Sequence, residues 1–309
     1  MSFSPESAAP PPPAVDALAV KRQSRRLAAE TAAPWLNAEV SARMAERLAY
    51  IKLQPATVLN WGAALSGSHE HLQQAYPQAV QWLVDGEPGL RQRSAHALRR
   101  PWWQKWRAGP ELAVHAPGEL PAGGAQLLWS NMNLHASADL PATFATWQRL
   151  LAVDGFVMFS CFGPDSLVEL RALFREQGWG EPMPAWQDMH DIGDQLVAAG
   201  FADPVMDQER LKLSWADAPA LLRDLRALGG NTAPQRYAAL RTPAWRHRLE
   251  AALNKRLRAA DGRLYLTVEL VYGHAFKPVP RVPLAAQTEF SLEQMREMIR
   301  GKTAPPGGQ

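Results

Sequence analysis

Between Ala56 and Phe174, short apolar runs alternate with helical stretches across brief loops, and this alternation limits the fold more than any other feature. The runs Ala56–Asn60, Ala79–Val84, Leu112–Val114, Ala125–Ser130 and Gly155–Phe162 read as strands. Helical patterns run through Leu72 to Tyr76, from about Pro141 to Leu151, and over Ser166–Phe174. Strands joined through helices pair in parallel, and a parallel sheet must be covered on both faces. The expected class is therefore α/β, a doubly wound and mostly parallel sheet. Ligands of such sheets bind at the carboxyl ends of the strands.

The flanks follow other patterns. Residues 1–20 form a Ser/Ala/Pro-rich leader, expected to be disordered. Residues 21–55 form a helical cover, helical from Arg22 to Ala49 with a break near Pro34. In it Val40, Met44, Leu48 and Ile51 share one face. The core spans 56–220 and includes a helix at Ile192–Ala199, with Asp188 or Asp191 as N-cap and Gly200 as stop, and a strand at Val205–Trp215. A helical insertion at 221–263 carries the helix Trp245–Ala259, and Pro219–Leu228 leads into it. The segment 264–300 opens with an antiparallel edge strand, Leu264–His274, and 301–309 is a loose tail.

Composition excludes several classes. No apolar run approaches the roughly 20 residues of a membrane helix, and the N-terminus lacks a secretory pattern. Cys161 is the only cysteine, so an intrachain disulfide or thiolate zinc cage is excluded; in its strand it reads as a small buried hydrophobe. A cytoplasmic location and no membrane partner are expected. The net charge of +3 is too small an excess to suggest nucleic acid. Two basic stretches stand out. One spans Arg91 to Arg107, interleaved with Trp102, Trp103 and Trp106; the other spans Arg241 to Arg258. Each reads as a solvated helix face or as a surface for an anionic partner. His69-Glu70-His71 puts its histidines on opposite faces, so no metal site is expected. No Ser/His/Asp or Cys/His order marks a catalytic residue.

The first strand ends in Asn60-Trp61-Gly62-Ala63-Ala64-Leu65-Ser66-Gly67-Ser68. A glycine-containing strand-to-helix loop lets backbone N–H groups approach a polar ligand. It also occurs for steric reasons alone. Asp85 closes the second strand, where a carboxylate accepts both hydroxyls of a ribose or forms the turn before Gly86.

The later segments add a resemblance. Leu127-Leu-Trp-Ser-Asn-Met-Asn-Leu-His135, Phe159-Ser-Cys-Phe-Gly-Pro-Asp-Ser-Leu167, Asp188-Met-His-Asp-Ile-Gly193 and Leu266-Thr-Val-Glu-Leu-Val-Tyr-Gly-His274 resemble class I S-adenosylmethionine-dependent methyltransferases. They are most similar to those that methylate malonyl on an acyl carrier protein in biotin biosynthesis. The match runs from about Arg22 to Phe276. It implies S-adenosylmethionine as cofactor, held by Asn60, Gly62, Gly67, Asp85, Glu119, Ser130 and Asn131. It implies a malonyl-bearing acyl carrier protein, or another protein, as partner.

The chain departs from the family pattern at named positions. Asn60 replaces an acid, Ala64 replaces the second glycine, Gln126 replaces the acid opening the fourth strand, and Arg25 and Thr31 replace a Phe and a Tyr. These departures keep a second reading open, a non-catalytic paralogue that binds or regulates. Methyl transfer to a carboxylate needs orientation and water exclusion rather than a base. Arg171 is the candidate partner for the acceptor carboxylate.

Overall fold

The computed structural model describes residues 15–97, 112–237 and 239–280. Among them a seven-stranded sheet has the order β3-β2-β1-β4-β5-β7-β6. The strands are β1 (Thr57–Trp61), β2 (Val80–Val84), β3 (Leu112–His115), β4 (Ala125–Ser130), β5 (Leu151–Phe162), β6 (Ala202–Trp215) and β7 (Leu264–Phe276). The first five pair in parallel, and β7 runs antiparallel to both β5 and β6. The strand order reverses between β1 and β4, which opens a crevice at the carboxyl ends there.

The last strand is not at the edge, as the sequence pattern implied. It lies between β5 and β6, and β6 is outermost. Burial explains the difference: Leu270, Val271 and Tyr272 are buried in succession, as an interior strand requires, whereas β6 keeps one face exposed. Gly273 on β7 has a packing reason. A Cβ there would lie 2.3 Å from the ring of buried Phe159.

Helices α1 (Ala17–Ala28) and α2 (Trp35–Arg47) precede β1, followed by the single turn α3 (Ala63–Ser66) and α4 (His69–Ala75). Helix α5 (Pro88–Ala97) follows β2 and α6 (Leu140–Leu150) follows β4. After β5 come α7 (Val168–Glu176), α8 (Met189–Ala198), α9 (Ala218–Ala227) and α10 (Pro243–Leu257). The ordered chain starts earlier than its composition indicates. Asp16 caps α1 by accepting from the N–H groups of Leu18 and Ala19, and it pairs with Arg236 at 2.7 Å, so residues 17–20 are helical rather than leader. Of the two candidate caps of α8, Asp188 accepts from the His190 N–H at 2.8 Å. Gly200 ends that helix with φ +90°. Cys161 is buried, and burial pushes its thiol up to about 12, as expected of a packing residue.

Helix α2 buries Val40 and Met44 of the stripe read from the sequence, and also Leu36, Asn37 and Ser41. The Gly273→Ala variant should lose about 1–3 kcal/mol through overpacking against Phe159, read as a lower urea midpoint with an unchanged m-value.

Candidate active site

The loop after β1 is held in one shape by its own chain. Gly62 and Gly67 take left-handed φ values of +71° and +64°, bracketing the turn α3. Neither tolerates a side chain, because a Cβ would lie 2.5 Å from Asn133 Nδ2 at Gly62 and 2.9 Å from the Ala38 Cα at Gly67. Asn131, just past β4, donates from Nδ2 to the carbonyls of Asn37 and Ser66, each at 2.6 Å, and accepts from Ser160 Oγ at 2.7 Å. Asn37 donates to the Leu65 carbonyl at 2.8 Å, and Trp129 Nε1 donates to Ser68 Oγ at 2.8 Å. Ser160 also accepts from the N–H of Met132, whose φ of +49° is unusual outside glycine. Strands β4 and β5 and helix α2 thus all grip the loop.

Beside this clamp, buried polar groups stand without partners. Asn60 is fully buried, and neither its Oδ1 nor its Nδ2 has a partner; Ser130 Oγ is in the same condition. Such groups cost about 1–3 kcal/mol each when unsatisfied, so their position at the ends of β1 and β4 is informative. Asp85 is also buried. It accepts from Ser94 Oγ at 2.8 Å and, at 3.3 Å, from the Ala64 N–H. Burial raises its pKa above the usual 3.8, opposed by Ser94, Ala64 and the nearby Arg93 and Arg91. A hollow of about 840 Å³ lies here, lined by Asn60, Ala64, Gly67 and Ser94 from the core and by Ala28 and Thr31 from the cover. Its size suits a cofactor.

The substituted positions keep local functions. Ala64 lies within α3, where right-handed backbone suits alanine, and directs its N–H at Asp85. Gln126 accepts from the Ala56 N–H at the start of β1. Trp61 packs edge-on against Trp147 at 6.1 Å, on the sheet face opposite Asn60, and leaves the hollow free. Arg25 pairs with Glu87 at 3.4 Å.

No protein-family model matches the chain. The malonyl-(acyl-carrier protein) O-methyltransferase of Gallionella capsiferriformans is 42% identical over 269 residues, covering 84% of this chain and 91% of that one. The enzyme of the same name from Halorhodospira halophila is 37% identical over 242 residues, covering 78% and 81%. The chain belongs to the malonyl-(acyl-carrier protein) O-methyltransferase family. The fold agrees with solved structures. The YcgJ protein of Bacillus subtilis superposes with a TM-score of 0.52 at 9% identity, over 78% of this chain and 99% of its own. A Bacillus halodurans protein described as a methyltransferase gives 0.51 at 11%, over 77% and 99%.

Within this methyltransferase fold, Asn60, Gly62, Gly67, Asp85, Ser130 and Asn131 meet at the carboxyl ends of β1, β2 and β4. Glu119 sits past β3, exposed, its carboxylate accepting from the Ala116 N–H at 2.8 Å. Arg171 does not join them. Leu167, just before α7, and Leu170 and Phe174 on it line a separate cavity that Arg171 does not line, and the Arg171 guanidinium donates to the Pro164 carbonyl at 3.4 Å. The basic stretch Arg91 to Arg107 falls largely outside the described residues. Among the described residues no cluster of three metal-ligating side chains occurs, and no helix is long and apolar enough to cross a membrane. Sequence reasoning missed Asn37, Ser94, Asn133 and Ser160. Only Ser94 had a local signal, as a helical hydroxyl shortly after Asp85.

Asn131→Ala leaves the Asn37 and Ser66 carbonyls and Ser160 without their buried partner, and should cost about 2–4 kcal/mol in unfolding free energy. Because folding raises the Asp85 pKa, the folded chain holds its proton more tightly, and Asp85 lowers stability as pH rises above 3.8. Asp85→Asn removes that decline. Chemical denaturation across pH 4 to 7 should therefore show the variant gaining stability relative to the wild type as pH rises.

Proposed function

We propose that the chain transfers a methyl group from S-adenosylmethionine to the free carboxylate of a malonyl group on an acyl carrier protein. The observation that carries this reading is the 42% identity over 84% of the chain to a relative named for that reaction. Nothing in the relatives favours the non-catalytic alternative.

The residues present fit the cofactor. Asn60 and Ser130 offer hydrogen-bonding atoms that the protein leaves unused, and Asp85 offers a buried carboxylate poor in donors, suited to a ribose diol. Gly62 and Gly67 keep the backbone of the loop close and fixed. Glu119 lies past the end of β3, and the family resemblance would assign it to the adenine. Asn131 spends its side chain on the loop, so it acts as a positioning residue there. When bound, S-adenosylmethionine supplies a sulfonium methyl whose transfer to a carboxylate oxygen leaves the electron pair on sulfur and forms a neutral ester, with no proton to move. The chain accordingly needs no general base: it orients the carboxylate and excludes water.

Acyl carrier proteins are acidic, and helix α10 presents Arg248 and Lys255 to solvent. Its Arg246 pairs with Glu250 at 2.8 Å. These charges favour an acidic partner in a salt-sensitive way.

Incubation with tritiated S-adenosylmethionine and malonyl-carrier protein should place label in a base-labile methyl ester. No labelled ester from folded protein would overturn the reading. Asp85→Ala should weaken cofactor binding at least about ten-fold. Paired Arg246→Glu and Arg248→Glu changes should raise KM for the carrier several-fold with cofactor affinity unchanged. An unaltered KM would remove α10 from the docking face.

A further inference from the structure

Helix α1 is held in place by polar contacts more than by the core. Of its twelve residues only Leu27 is buried, whereas α2 buries five of thirteen. At its start the Asp16 N–H donates to the Thr232 carbonyl at 2.8 Å, and the Asp16 carboxylate pairs with Arg236 at 2.7 Å. Near its end the Arg26 guanidinium donates to the carbonyls of Arg226 and Gly229, at 2.7 and 2.9 Å. Those carbonyls close α9, where the helix dipole favours a cation. Gly229 leaves room for the strand of contacts, since a Cβ there would lie 1.7 Å from the Gln23 amide nitrogen. The partners lie two hundred or more positions away, in the segment between β6 and β7.

The same helix also meets the half of the molecule that carries the glycine loop. The Arg93 guanidinium donates to the Leu27 carbonyl at 2.9 Å, Arg25 pairs with Glu87 at 3.4 Å, and a Cβ on Gly89 would lie 3.0 Å from the Ala28 Cβ. Ala28, Glu30, Thr31 and Ala33 then form part of the wall of the hollow beside the loop. A short non-helical link, residues 29–34, joins α1 to the well-packed α2. A helix with one buried residue and polar end contacts detaches at far smaller cost than one packed into the core. Its release removes one wall of the hollow, and its return restores it.

We propose that Arg26 and Arg236 are positioning residues of the cofactor site: they latch α1 as a strap beside the hollow, so that the cofactor enters and leaves while the strap is free and is retained while it is latched. This rests on the methyltransferase reading, which supplies the ligand retained. Neither arginine lines the hollow, so both act through α1. Arg25 and Thr31, the two positions where the cover departs from the aromatic family pattern, lie on the strap and on its link. With polar residues there, closure depends on the latch.

Stopped-flow binding of S-adenosylhomocysteine, the product form of the cofactor, and hydrogen exchange of the full-length chain test this together. Amides of α1 should exchange faster than those of α2 in the free protein and slow when the ligand binds. Arg26→Met and Arg236→Met should each quicken dissociation about ten-fold, the change expected for one lost hydrogen bond to a charged group. Both should also quicken association, because the strap is free more of the time. Arg236→Lys keeps a cation facing Asp16 and should restore most of the wild-type dissociation rate. Binding that leaves α1 exchange unchanged, or variants whose two rate constants match the wild type, overturns the strap alone. Methionine variants that associate more slowly overturn it as well, since damage to the site has that effect. If no protein binds the ligand while slow α2 exchange shows a folded core, the methyltransferase reading fails and the strap fails with it.

Discussion

The Asn131 side chain is the contact on which the site depends. Its amide joins the carbonyls of Asn37 on α2 and Ser66 on α3, and its own oxygen accepts from Ser160 on β5. One buried group therefore fixes the cover helix, the glycine loop and two strands relative to one another. In a low-dielectric interior each of these bonds is strong, and each partner left alone would be costly. The loop then needs few glycines. Gly62 and Gly67 stand where neighbouring atoms leave no room for a side chain, while Ala63 and Ala64 occupy ordinary helical backbone between them.

That arrangement gives the departures at the loop a physical meaning. An alanine in place of glycine looks like a loss of backbone access, yet Ala64 still aims its N–H at Asp85. Asn60 replaces a charged group with a neutral amide, and the fold buries that amide without a partner beside the hollow. Asp85, buried with only Ser94 and a long contact to Ala64, is likewise short of donors. The protein thus leaves polar groups short of partners at the ends of β1, β2 and β4, where the proposed cofactor would supply them. A binding site that keeps its groups unpaired in this way sacrifices some stability for function.

Much of this was legible in the sequence, and the limits have physical causes. Strands β1 to β5 announced themselves through short apolar runs, because a strand covered on both faces has no polar side. A cap at Asp188 or Asp191 and the stop at Gly200 were readable because both act within a few residues, and the structure selects Asp188. The insertion of β7 between β5 and β6 was not, since periodicity records burial but says nothing about which strand is the neighbour. Residues 17–20 looked like leader because the contact that orders them is Asp16 with Arg236, more than two hundred positions away. Arg171 was chosen for lying just beyond β5, and the rotation of α7 directs its neighbours, not itself, to the cavity. The Asn131 clamp likewise joins residues distant in the chain, and an asparagine after a strand carries no mark of its partners.

Methyl transfer by this chain requires that the clamped, glycine-poor loop bind S-adenosylmethionine. Calorimetric titration of S-adenosylmethionine into the folded full-length chain measures this most directly. A saturable one-to-one heat signal, with a rise in melting temperature that follows ligand concentration, is the predicted result. The absence of heat and of any thermal shift at millimolar ligand, from protein with a cooperative melting transition, would contradict it.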